Sequence, residues 1–194
     1  GEVITIAPGS QSFLNPLDIN FTNKDEIDPV AIKTDYVTSL VEMMLGKQDA
    51  LNPTAKSVLT RCVKNIYNPY VEHVRKLKET NPEITCDKQS APTLSTLYGE
   101  LSRQPDPEAR TLAKIIENYA VGGYDMFAHR SNVESDSKFL VYNVRNLGSN
   151  LKELGLFICL NDIWNKMMEN YEKGLFTWIY IDEFHVLLDR KSVV

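Results

Sequence analysis

Asp182 and Glu183 are adjacent carboxylates set directly after Phe176-Thr177-Trp178-Ile179-Tyr180-Ile181, a run that is apolar, aromatic or β-branched throughout. Gly174 stands just before it. A short continuous run of this kind reads as a strand buried on both faces, and such strands belong inside parallel sheets. Ligands of open α/β sheets sit at the carboxyl ends of the strands, so the acid pair would point at the usual place of chemistry. One carboxylate there could hold a divalent cation while its neighbour orients or deprotonates a water. The same two residues also suit the N-cap and first turn of a helix beginning at Phe184.

The first alternative is the geometry of a Walker B element, with Asp182 on the Mg²⁺ of a nucleotide and Glu183 on the attacking water. A Walker B element works beside a phosphate-cradling loop, and GxxxxGK[ST] occurs nowhere in the 194 residues. The acid pair is therefore either incidental or the partner of a loop upstream of Gly1. Gly122-Gly123 lacks the spacing of a phosphate cradle and reads as a helix stop followed by a loop. His73, His129 and His185 share no HxxxH or HExxH spacing, which argues against a histidine metal site. His185, two residues beyond Glu183, could sense nucleotide, although a surface or capping role suits it as well.

These residues need a scaffold, and 43% hydrophobic with 24% charged residues is an ordinary globular composition, enough to bury a full core. Cys62, Cys86 and Cys159 are far apart and odd in number, so neither a disulfide framework nor a CxxC pair is available. Reduced thiols in a cytoplasmic protein are the simplest reading. The net charge of −5 has the wrong sign for gripping phosphate backbones over a broad surface, though a local basic patch stays open. With no uncharged apolar run of 18 residues and no signal-peptide pattern, neither a membrane span nor export is expected. The chain opens in a strand pattern and stops six residues after Leu188, the profile of a piece of something larger.

Val3 to Ile6 reads as a short strand, and Ala7-Pro8-Gly9-Ser10 as its turn-rich exit. Asp25 to Pro29 reads as linker. Lys33 to Leu45 carries apolar residues at three-and-four spacing and is stopped by Gly46. Asn52 and Pro53 are an N-cap and first helical position, and Pro69 should end or kink that helix, leaving Val71 to Lys78 as a shorter piece. Further helices follow Thr93 or Ser95 and Pro107, the last stopping at Gly122-Gly123. Phe139 to Val144 resumes strand, Leu147 to Tyr171 is a long helix, and Gly174 ends it. Strand, helix and acid-bearing strand would then make a right-handed βαβ unit.

The order of these pieces, with Asn15-Pro16-Leu17-Asp18-Ile19, Pro92-Thr93-Leu94 and Ile179 to Leu188 as its specific parts, resembles the CagE/TrbE/VirB family of conjugative-transfer ATPases of type IV secretion systems. The likeness is strongest to those of Gram-positive conjugative elements. It implies an α/β fold: part of a RecA-like P-loop NTPase core of parallel strands, residues 1–32 and 133–194, with a large all-helical insert over 33–132. It implies ATP and Mg²⁺ as cofactors of a longer parent, with Asp182 on the metal and Glu183 as the catalytic residue that activates the water. A homo-hexamer is also implied, with other secretion components as partners and a place at the cytoplasmic face of the membrane reached through them. Two other readings stay open. One is a DNA translocase resembling HerA or FtsK, against which the negative charge weighs. The other is a non-enzymatic helical interaction module in which the acids are only structural.

Overall fold

The computed structural model describes residues 1–21, 28–46, 50–133 and 137–182. Its elements in order are β1 (Glu2–Thr5), α1 (Pro29–Leu45), α2 (Pro53–Thr80), α3 (Leu94–Arg103), α4 (Pro107–Ala120), a 3₁₀ turn (Asp125–Phe127), β2 (Leu140–Asn143) and α5 (Ser149–Glu172).

Local chemistry accounts for most of these boundaries. The Asp28 side chain accepts from Val30 N with Pro29 in the first turn, so α1 begins four residues before the expected Lys33. Asn52 accepts from Ala55 N ahead of Pro53, as expected. Thr93 and Thr96 exchange side-chain and backbone bonds in a capping box at the start of α3. Gly174, at φ +71°, closes α5 with Gly174 N bonded to Tyr171 O at 3.0 Å and Leu175 N to Asn170 O at 2.8 Å, the paired bonds of a Schellman ending. Gly122-Gly123 follows the end of α4, where a Cβ on Gly122 would stand 2.7 Å from the Asn118 Cα.

Pro69 neither ends nor divides its helix: α2 runs unbroken from Pro53 to Thr80 with Pro69 inside it. A proline there deletes one intrahelical bond and crowds the preceding turn, a cost of about 3 kcal/mol. Tertiary packing offsets it. Tyr67, Tyr70 and Val74, on either side of the proline, are all buried. The Tyr67 hydroxyl donates to Leu17 O at 2.5 Å, and the Tyr70 hydroxyl accepts from Asp87 N at 3.0 Å.

β1 and β2 pair in parallel, with Val3 opposite Val141 and Ile4 opposite Tyr142. Ile4 enters the core at 2% exposure, whereas Val3 at 62% and Val141 at 39% face outward. Helices α1 to α4 lie between the two strands in sequence and pack on one another, and α1 also touches α5. The core is continuous, joining Ile4 and Ile6 of the strand region to Val37, Leu59, Leu97, Leu112 and Ile158 of the five helices.

The segment after Gly174 departs from expectation. Residues 175–181 form no regular element and have no strand ladder, and Phe176, Trp178 and Tyr180 are 95%, 83% and 88% exposed. A strand hydrophobic on both faces needs a hydrogen-bonding neighbour and a covering layer on each side. Among the described residues β1 and β2 pair with each other, and nothing supplies either to this run.

Candidate functional site

Asp182 is exposed in a turn at the end of that apolar run. Glu183 and His185 lie outside the described residues. The run itself is tied back to α5, since Asn170 Nδ2 donates to Thr177 Oγ1 at 2.9 Å. An exposed carboxylate is the right ligand type for a hard cation such as Mg²⁺, which takes oxygen donors and keeps several waters. One acid does not make a site, and no group of three or more His, Cys, Asp or Glu among the described residues could hold a metal. Asp182 thus fits as one ligand that needs further groups to complete the site.

The carboxyl ends of β1 and β2 lie side by side, joined by Ile6 N to Asn143 O at 3.0 Å. After β1 the chain turns through Gly9 at φ +80°, and Ser10 Oγ donates back to Thr5 O at 2.5 Å while accepting from Ser12 N. After β2 the Asn143 side chain accepts from Arg145 N, and Gly148 opens α5 without a side-chain cap.

Behind this edge lies a buried polar cluster built on the loop that leaves β1. Asn15, 3% exposed, uses its whole amide: Nδ2 donates to Asp18 Oδ1 and to Pro92 O, both at 2.9 Å, and Oδ1 accepts from Leu17 N at 3.1 Å. Its backbone N donates to Ser131 Oγ at 2.8 Å. The Asn-Pro-Leu-Asp segment therefore fastens the start of α3 and the chain returning toward β2 to a single point. Lys33 of α1 is 5% exposed and reaches Asn161 Oδ1 of α5 at 2.8 Å and Pro16 O at 3.4 Å, with its ammonium 4.6 Å from the centre of the Tyr36 ring. Tyr142 of β2 donates to Asp162 Oδ2 of α5 at 2.5 Å.

Burial dominates the electrostatics here. It lowers the Lys33 ammonium to about 7, opposed by the charges of Asp18 and Asp162. Burial likewise raises the Asp18 carboxyl above its ordinary range. The Tyr142 hydroxyl is pushed up by burial and then by Asp162, and the Cys159 thiol rises to about 12 for the same two reasons. Lys33, Asp18 and Tyr142 bond to Asn161, Asn15 and Asp162, tying separate segments of the fold together. Asn15 to Ile19 stood out in the sequence only through the family resemblance. Lys33 was missed, although it stands four residues before Val37 on the inward stripe of α1, where a charged residue is out of place.

No family model and no curated protein matches the sequence. Among solved structures, VirB4 of Thermoanaerobacter pseudethanolicus matches over 88% of this chain at a TM-score of 0.68, with 22% identity. The chain shares the VirB4 fold. This agrees with the resemblance carried by the Asn-Pro-Leu-Asp and Asp-Glu segments. The chain spans 63% of the VirB4 chain it matches. No helix of the described residues is long and apolar enough to cross a membrane.

Proposed function

We propose that this chain is the Walker B portion of a type IV secretion ATPase, a hydrolase working as a homo-hexamer with other secretion components at the cytoplasmic face of the membrane. Asp182 is the ligand to the Mg²⁺ of ATP, and Glu183 holds the attacking water and takes its proton. The observation that carries this reading is the VirB4 fold over 88% of the chain; the sequence resemblance adds the match of the family's first acid to Asp182, at the end of the apolar run. On this reading residues 1–32 and 133–194 belong to a RecA-like core and 33–132 to its helical insert, and the phosphate loop comes from upstream in a longer polypeptide. The outward-facing Val3 and Val141 and the exposed run 176–181 are what a sheet awaiting further strands would present.

The test is turnover in the longer protein. A GxxxxGK[ST] segment encoded upstream of Gly1, and loss of hydrolysis in Glu183→Gln with nucleotide binding kept, are the expected results. Wild-type hydrolysis in Glu183→Gln refutes the assignment.

A further inference from the structure

Asn161 and Asp162 are neighbours on α5, and their side chains bind different parts of the molecule. Asn161 Oδ1 accepts from Lys33 on α1 at 2.8 Å, and Asp162 Oδ2 accepts from Tyr142 on β2 at 2.5 Å. Around Lys33 the contact is reinforced by Tyr36, whose ring stacks on Phe157 of α5 with centroids 4.7 Å apart and planes 8° from parallel. Further along α5, Asn20 Nδ2 donates to Glu169 Oε1 at 2.8 Å. The helix then ends in the Gly174 turn, and the bond from Asn170 to Thr177 holds the following segment five residues short of Asp182.

We propose that Lys33 is a positioning residue for Asp182. By tying α5 to α1 and to the loop that leaves β1, it sets where α5 ends and therefore where Asp182 stands. The catalytic consequence rests on the ATPase reading above, whereas the clamp does not.

The choice of residue supports this. A buried ammonium is more costly than a leucine or methionine of similar reach, so packing alone does not call for lysine. Lys33 supplies what an apolar residue cannot, directed bonds to two segments far apart in sequence: the Pro16 carbonyl in the loop leaving β1 and Asn161 on α5. Without it both acceptors lose a buried donor. The first half of α5 would still be held by Leu151, Leu154 and Ile158, each buried. The second half, leading to the acids, has residues such as Ile163 and Met167 only partly buried and depends more on the clamp.

Amide exchange of this chain, wild type against Lys33→Met, tests the clamp. The expected result is exchange faster by about tenfold or more from residue 161 through 175, with α3 and α4 unchanged. Unchanged exchange in α5, or a uniform rise through every element, overturns the proposal. Asn161→Ala, which removes the acceptor while leaving Lys33 its bond to Pro16, is the second variant and must show the same local pattern even if Lys33→Met does not fold. In the longer protein, Lys33→Met should lower kcat for ATP while leaving KM unchanged. Faster exchange with wild-type kcat sinks the positioning role. A wild-type protein that hydrolyses no ATP sinks the ATPase reading instead and leaves the exchange result to decide the clamp.

Discussion

The hydroxyl of Tyr67 donates to the carbonyl oxygen of Leu17 at 2.5 Å with both residues at 0% exposure, so one bond joins the middle of α2 to the loop that leaves β1. The bond lies two residues before Pro69, where the helix lacks a backbone donor, and it helps explain why α2 continues.

Tyr67→Phe keeps the ring and strands the Leu17 carbonyl in the core. A buried unsatisfied acceptor costs about 1–3 kcal/mol. Urea unfolding should show that loss at unchanged m value, while Tyr98→Phe, whose hydroxyl bond to Glu117 is exposed, should stay within about 0.5 kcal/mol of wild type.

Asn15→Ala removes two donors and an acceptor from one buried amide, leaving Pro92 O and Leu17 N without partners. The expected loss is about 3 kcal/mol or more, at the large end for single substitutions. A melting temperature within a degree of wild type would show that the cluster does not hold the loop.

The pH dependence follows from Lys33. An unfolded lysine keeps its proton up to about 10.4, whereas the folded Lys33 gives it up near 7. Between those values the unfolded chain binds more protons, so stability rises with pH, by at most about 1.4 kcal/mol per unit. The acids facing it, Asp18 and Asp162, lie on the β1 exit loop and α5, and Tyr36 shares its own helix. Cys62 and Cys159 act in the opposite sense higher up: their folded thiols are pushed to about 11 and about 12, so stability falls once unfolded thiols begin to ionise near 8.5. Urea midpoints should therefore climb from pH 7, pass a maximum at roughly pH 8–9, and then decline. Lys33→Met should abolish the climb and keep the decline.

In the longer protein Asp182→Asn should weaken Mg-nucleotide binding together with turnover, because a lost carboxylate charge is felt before the reaction begins. Glu183→Gln should bind normally and hydrolyse slower by about 10²-fold or more. If the pair only caps a helix, both variants lose about 1 kcal/mol of stability and neither selectively loses turnover. Single-turnover hydrolysis at matched folded fraction separates the two.

Gly174→Ala places a Cβ at φ +71°, a left-handed conformation that costs a non-glycine residue about 1–2 kcal/mol. Nothing stands within 4 Å of the added atom, so the effect is conformational and not steric. Faster amide exchange in the last turn of α5, with α2 unchanged, is the expected result.

What the sequence determined by itself is local in origin. Asn52-Pro53, Thr93 and Gly174 mark helix ends because a cap is satisfied within a few residues of its own backbone. Val3 to Ile6 and Phe139 to Val144 were legible as strands from runs of apolar and β-branched residues, whereas their parallel pairing with each other was read from the fold. Three things were decided by tertiary structure. α2 passes through Pro69 because tyrosines four or fewer residues away find partners at Leu17 and Asp87, distant along the chain. The run 176–181 lies exposed because strand burial is a property of neighbours, and hydrophobicity alone provides none. Asn15, Lys33 and Asp162 are buried, each bonded to a residue distant in sequence: Ser131, Asn161 and Tyr142 respectively. A polar side chain signals burial only through its partners, and the fold alone brings residues 15 and 131, or 33 and 161, within hydrogen-bond reach.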